Sequence, residues 1–217
     1  ELEAQYQVDV LTLSYDLSRP EAPQQIYDAL ADRGIEVDYL INNAGLGGQG
    51  SFAERPIEEE INLISVDIVA LTRLTKLFLP DFLRRGTGRI LNVSSTASLL
   101  PGPYQATYFA AKAYVTSLSD ALWMETRGTG VTVTSVLPGG LSTEFGTAAG
   151  LEGTGLAQAL TQSPYKVALD SYRAMLRGKR RIISGVTWSQ RLGLKMIPFV
   201  PKILVLLAAM GLNRKDA

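Results

Sequence analysis

The sequence predicts an α/β fold built on a doubly wound parallel sheet, and three observations predict it. Short runs rich in Val, Ile and Leu alternate with amphipathic stretches along most of the chain. The connections between them are short, and most apolar runs stop at Asn, Ser, Pro or Gly. A helix between consecutive strands supplies the crossover that parallel pairing requires, and it covers the sheet on both faces. With 217 residues the chain is the size of one domain and buries a substantial core.

Taken in order, residues 8–13 alternate loosely and read as a strand. Asp16 follows, and Ser-Arg-Pro-Glu at 18–21 reads as a helix start with Pro20 near the first turn. Ile26, Tyr27 and Leu30 give that helix one apolar face, and Gly34 ends it. Residues 37–41 form a short strand that runs into Asn-Asn-Ala-Gly. A long amphipathic helix spans 56–85, with Ile61, Ile64, Ile68, Leu71, Leu74 and Phe78 at spacings of three and four. Pro80 is expected to kink or end it. Strands at 89–93 and 131–137 flank a helix at 104–127, and Pro138-Gly139-Gly140 stops the second of them. A glycine-rich polar segment at 146–155, a helix after Pro164 and a strand at 181–184 follow. No repeat or linker divides the chain, so residues 1–217 read as a single domain.

Two absences narrow the chemistry. The chain has no Cys, which excludes disulfides, thiolate nucleophiles and cysteine zinc sites. It has no His, which excludes a Ser-His-Asp triad and most transition-metal sites, so no metal is expected. There is also no Gly-x-Ser-x-Gly. Proton transfer must fall to Tyr, Lys, Asp or Glu.

Tyr108-Phe-Ala-Ala-Lys112 lies early in a helix, where residues four apart share a face. A free phenol titrates near ~10, and a neighbouring ammonium favours the phenolate, which makes Tyr108 a candidate acid/base. Alone, the pair also reads as an ordinary surface pair on a helix. Its context is more specific. Ser94-Ser95 ends the strand thirteen to fourteen residues earlier, Asn42-Asn43-Ala44-Gly45 ends the strand before that, and Pro138-Gly139 ends the next. In an open parallel sheet the carboxyl ends of neighbouring strands line one crevice.

With these motifs the sequence resembles the short-chain dehydrogenase/reductase family, classical type. The matches are Asp16-Leu17, Asn42-Asn43-Ala44-Gly45, Asn92-Val93-Ser94-Ser95, Tyr108-x-x-x-Lys112 and Pro138-Gly139-x-x-x-Thr143, in family order from about residue 7 to 145. The segment at 178–185 also looks like members that act on apolar carbonyl compounds. The resemblance implies a Rossmann-type fold and an NAD(P)-dependent oxidoreductase that interconverts a carbonyl and an alcohol by hydride transfer. It makes Tyr108 the proton donor or acceptor and Ser95 the group that orients the substrate oxygen, with Ser94 a structural neighbour. Lys112 would hold the nicotinamide ribose and lower the phenol's pKa. Asp16, Leu17, Asn43, Ala44 and Gly45 would border the adenosine side of the cofactor, and Gly139, Leu141 and Thr143 the nicotinamide side. NAD or NADP is implied, with a slight lean to NADP. Residues 144–164 look like the mobile loop that covers substrate.

Two features depart from the family. Asp67 stands where the family usually has an Asn that helps hold a proton-relay water; an ionised carboxylate accepts hydrogen bonds but cannot donate. Nothing before Val8 supplies the strand, glycine-rich turn and helix that cradle the cofactor phosphates, so the first βαβ portion is expected to be missing from this chain. The alternative reading is a non-catalytic cofactor- or partner-binding protein on the same fold.

Charge divides the chain. Residues 1–172 carry 11 Lys and Arg against 20 Asp and Glu, and residues 173–217 carry 10 against one. The basic apolar tail at 189–217 is expected to pack, closing the substrate pocket or forming a dimer seam. Its other reading is peripheral contact with an anionic membrane surface. The expected partners are an apolar small-molecule carbonyl or alcohol and a second copy of the chain, with no nucleic acid. The opening residues are polar and acidic, and the run at 203–212 is well short of the ~20 residues that span a bilayer, so a soluble cytoplasmic protein is expected.

Overall fold

The computed structural model describes residues 2–158 and 162–215. The elements are α1 (Leu2–Tyr6), α2 (Ala22–Ala31), β1 (Tyr39–Asn42), α3 (Ile57–Ile64), a π-helical turn (Ser65–Ala70), α4 (Leu71–Arg85) and β2 (Gly88–Val93). A 3-10 turn (Thr96–Leu99), α5 (Ala106–Glu125), β3 (Val131–Pro138), α6 (Phe145–Ala148), α7 (Gly155–Gln158), α8 (Pro164–Leu176) and β4 (Arg181–Ser184) follow. The tail comprises α9 (Trp188–Met196), a 3-10 turn (Ile197–Phe199) and α10 (Lys202–Asn213).

The four strands form one parallel sheet in the order β1-β2-β3-β4. Asn42 stands opposite Asn92, Val93 opposite Val136, and Pro138 opposite Ser184, so the carboxyl ends of all four strands lie along one edge of the fold. Successive side chains of a strand point to opposite faces, and β2 shows both. Ile90 packs with Leu74, Phe78 and Phe82 of α4, and with Tyr27 of α2 and Trp123 of α5 beyond them. Leu91 packs instead with Val136 and with Val167 and Met175 of α8. Helices therefore cover both faces, as the alternating pattern predicts.

Three expectations from the sequence change. Residues 8–13 do not form a strand, and Val8, Val10 and Leu11 are exposed. A strand needs a neighbour to pair with its backbone, and no described strand lies beside this segment. The first-turn proline of α2 is Pro23 rather than Pro20, which sits in the preceding turn. Pro80 does not end its helix, which runs through it to Arg85 and stops at Gly86 in the left-handed conformation (φ 68°). The helix changes character earlier, at the π-helical turn that carries Asp67. Just beyond Gly86, Gly88 adopts φ 156° against Phe82, where an added Cβ would lie 2.3 Å from the ring. Residues 1, 159–161, 216 and 217 lie outside the described set, so part of the expected substrate segment and the end of the tail do too.

Candidate active site

The strand ends are held in register by buried side-chain amides. Asn42 donates to Asn92 Oδ1 (2.8 Å) and Thr75 Oγ1 (3.1 Å), and Asn92 donates to Ser119 Oγ (2.9 Å). One chain of hydrogen bonds thus ties β1 and β2 to α4 and α5. The Ser94 hydroxyl, also buried, donates to the Lys112 carbonyl (2.8 Å) and bonds Thr116 Oγ1 (2.7 Å). It fixes α5 against the end of β2, which is the structural role expected of it. Ser95 caps the following 3-10 turn by accepting from the Ala97 N–H (3.1 Å).

Tyr108 lies in the first turn of α5 and Lys112 one turn on, so their side chains share a face. The Lys112 ammonium is 5.6 Å from the Tyr108 ring centre, and Phe145 of α6 packs on the same ring at 5.7 Å. Burial pushes the phenol's pKa above its ordinary value. Lys112 and a hydrogen bond with Ser95 pull it down, and Asp67 pushes it up again. The net direction is upward, opposite to what the Tyr-Lys spacing alone predicts, because burial outweighs the ammonium.

Asp67 reaches the same place from the π-helical turn. Its Oδ2 lies 2.8 Å from Lys112 Nζ, with the carboxylate fully buried and the lysine side chain 6% exposed. Its Oδ1 accepts from the Leu46 N–H at 2.6 Å. Lys112 Nζ is also 3.4 Å from the Val93 carbonyl. Gly45 passes close over the pair: a Cβ there would come within 3.0 Å of Nζ and 3.3 Å of Oδ2. The fold thus gathers Ser95, Tyr108, Lys112, Asp67 and Gly45.

The remaining candidates are more dispersed. Asn43 and Ala44 are exposed beyond β1. Gly139 leaves β3 against β4, with its N–H on the Ser184 carbonyl (2.9 Å), and a Cβ there would meet Gly185 O at 2.1 Å. Leu141 packs on the α8 side of the sheet, and Thr143 is exposed. Asp16 makes local contacts, accepting from the Ser18 N–H (2.9 Å) and facing Arg19, while Leu17 joins the α4 side of the core. Neither is brought to Tyr108 by a described contact. Among the described residues no group of three or more acidic side chains could hold a metal ion.

The profile of the short chain dehydrogenase family matches residues 1–171. The chain belongs to the short-chain dehydrogenase family. An uncharacterized oxidoreductase of Bacillus subtilis, YvrD, is 37% identical over 147 residues, covering 68% of this chain and 54% of that protein. Human very-long-chain 3-oxoacyl-CoA reductase is 32% identical over 142 residues, covering 64% and 45%. A Sphingobium yanoikuyae short-chain dehydrogenase solved in complex with NADPH superposes with a TM-score of 0.79 at 29% identity, covering 91% of this chain and 76% of that one. The chain spans about half the length of the curated relatives it matches.

In this member of the short-chain dehydrogenase family, the contacts that hold the site have no local signature in the sequence. The Asn42–Asn92–Ser119 chain was legible only as motif letters, because its partners lie 27 and 50 residues apart. The Asp67–Lys112 pair spans 45 positions and has no local signal. Tail contacts were equally hidden: Asn213 of α10 donates to the Pro103 carbonyl (2.9 Å) and accepts from Gln105 (3.1 Å), just before Tyr108.

Proposed function

We propose that the full-length protein is an NAD(P)-dependent oxidoreductase that interconverts a carbonyl and an alcohol. The observation that carries this reading is the convergence of Ser95, Tyr108 and Lys112 beside the carboxyl ends of the parallel strands. The nicotinamide, when bound, supplies or takes the hydride. Tyr108 gives or receives the proton at the substrate oxygen, and Ser95 orients that oxygen with its hydroxyl. The Lys112 ammonium favours the phenolate and is the group to hold the nicotinamide ribose.

The residues fit one end of such a cofactor. A cation, a phenol and two open loops (Asn43-Ala44-Gly45 and Gly139 to Thr143) border the strand ends. Gly34 is the only glycine before β1, so a glycine-rich phosphate turn is not among the described residues. An NADP preference and the adenosine roles of Asp16 and Leu17 remain part of the proposal on family resemblance.

The substrate is proposed to be an apolar carbonyl compound, with 144–164 as the segment that covers it. Phe145, packed at a tilt against the Tyr108 ring, supports an apolar surface beside the reacting oxygen. Residues 1–217 are proposed to act as one domain and as a homo-oligomer in the cytoplasm, with 189–217 packing beside the candidate site and peripheral contact with an anionic membrane surface as its second reading. No helix among the described residues is long and apolar enough to cross a membrane. The tail nevertheless leaves Trp188, Phe199, Ile203, Leu204 and Leu207 exposed beside Arg191, Lys195 and Lys202.

The test is turnover by the full-length protein on a panel of apolar ketones and the matching alcohols, with NAD(H) and NADP(H). Turnover lost in Tyr108→Phe supports the reading. Cofactor binding with no turnover across the panel would favour the non-catalytic alternative.

A further inference from the structure

Asp67 is held in a way that gives its charge a consequence. The π-helical turn carries the carboxylate inward, where one oxygen is taken by the Leu46 N–H. The other is buried and has no described hydrogen-bond partner apart from the ammonium it faces at 2.8 Å. Gly45 closes over both groups, where an added Cβ would make tight contacts of 3.0 Å with Nζ and 3.3 Å with Oδ2. A negative charge is thereby fixed against the cation that acts on the Tyr108 phenol.

We propose that Asp67 is a positioning residue that holds Lys112 in a buried ion pair beside Tyr108, so that the phenol faces a paired rather than a lone ammonium. This rests on the reading of Tyr108 as the proton-transfer group. Screening is weak for buried charges, so the carboxylate acts on the phenol with the opposite sign to the ammonium, whose influence is the larger of the two. Both directions agree with the influences on the phenol, where Lys112 favours the phenolate and Asp67 disfavours it.

Among the described residues, the other groups facing Tyr108 do not supply a competing charge. From the end of β2 comes the Ser95 hydroxyl, and from α6 the apolar Phe145. Arg55 and Glu60 line the adjacent cavity but are paired with each other, and Arg55 also meets Glu59 at 3.1 Å. Asp67 is therefore the carboxylate with direct leverage on the Tyr108–Lys112 pair.

The test is a titration of the cofactor-free, full-length protein carrying tyrosine labelled with carbon-13 at Cζ, with Tyr108→Phe used to assign the resonance. In Asp67→Asn the Tyr108 midpoint should move to lower pH by at least about half a unit, as removal of a nearby like charge requires. The pH profile of alcohol oxidation should move the same way. Asp67→Ser provides a second neutral side chain if the Asn form fails to fold. An unmoved or upward-moving midpoint in a folded neutral variant overturns the proposal. So does failure of both variants to fold, which would make the carboxylate a requirement of the fold. If Tyr108→Phe keeps most activity, the reading of Tyr108 itself fails. If Tyr108→Phe is inactive while the midpoint stays put, only the role of Asp67 fails.

Discussion

The Asn42 side-chain amide donates to Asn92 Oδ1 at 2.8 Å across the β1–β2 boundary, and both residues are buried. They stand opposite each other in the ladder, at the last residue of β1 and one residue before the end of β2, next to the loops Asn43-Ala44-Gly45 and Ser94-Ser95. The hydrogen bond therefore sets the spacing between two loops of the candidate site. Asn92→Ala should cost about 1–3 kcal/mol, the scale for leaving buried polar partners unmatched. Urea denaturation should show a lower midpoint with an unchanged slope. A double-mutant cycle with Asn42→Ala should give less than the sum of the single losses, since one bond is removed in both.

Tyr108→Phe in the full-length protein should lower turnover at least ~10²-fold, the usual scale for a positioned acid/base, with cofactor affinity nearly unchanged. The phenyl ring keeps the contact with Phe145 and loses only the hydroxyl. Steady-state rates and a cofactor binding isotherm separate the two effects. Retention of most activity would remove Tyr108 from the chemistry.

Lys112→Met should do more. It removes the cation proposed to hold the cofactor and leaves the fully buried Asp67 carboxylate without its charge partner. Breaking one side of a buried pair costs on the order of 3–5 kcal/mol. The double variant Lys112→Met with Asp67→Asn should recover a large part of that stability while remaining unable to bind cofactor normally. Equal stability of the single and double variants in a thermal melt would contradict the pair's energetic weight.

Under the proposed carbonyl–alcohol activity, the raised pKa of Tyr108 places the pH dependence of both directions in the alkaline range. Carbonyl reduction uses the protonated phenol, so its rate should hold through neutral pH and fall as the phenol ionises. Alcohol oxidation uses the phenolate, so its rate should climb over the same alkaline range. Rates in both directions at saturating substrate would check this. A reduction rate that falls between pH 5 and 7 would point to a different titrating group.

The parts of the fold written in local pattern were legible: β2, β3, β4, α5 and α8 all form where periodicity and the Pro-Gly stops put them. Residues 8–13 show the limit, since alternation describes a strand but cannot supply its neighbour. The Tyr108–Lys112 spacing was readable because one helical turn brings the two together. The sign of the phenol's pKa was not, because burial and Asp67 act through tertiary packing. The π-helical turn at 65–70 was equally hidden, as its hydrophobic spacing matches an ordinary helix.

The tail carries the last prediction. Asn213 and the end of α10 are tied to Gln49, Pro103 and Gln105, and Lys215 bridges to Thr154. Yet α9 has no buried residue, and α10 buries only Ala209 and Asn213 along its length. Trp188 and Phe199 are 78% and 77% exposed. One end is thus docked beside the candidate site while the rest presents apolar side chains bordered by cations. That surface suits an anionic membrane interface, where apolar groups enter the headgroup boundary and cations meet phosphates. The full-length protein should sediment with vesicles rich in anionic lipid and release as salt rises from about 0.05 to 0.5 M, as screening predicts. Trp188→Ser with Phe199→Ser should weaken binding without changing the thermal midpoint, because neither side chain is packed. Sedimentation with neutral vesicles alone, or none with anionic vesicles at low salt, would remove the membrane reading. A concentration-dependent dimer lost in the same double variant would instead assign the exposed face to a second copy of the chain.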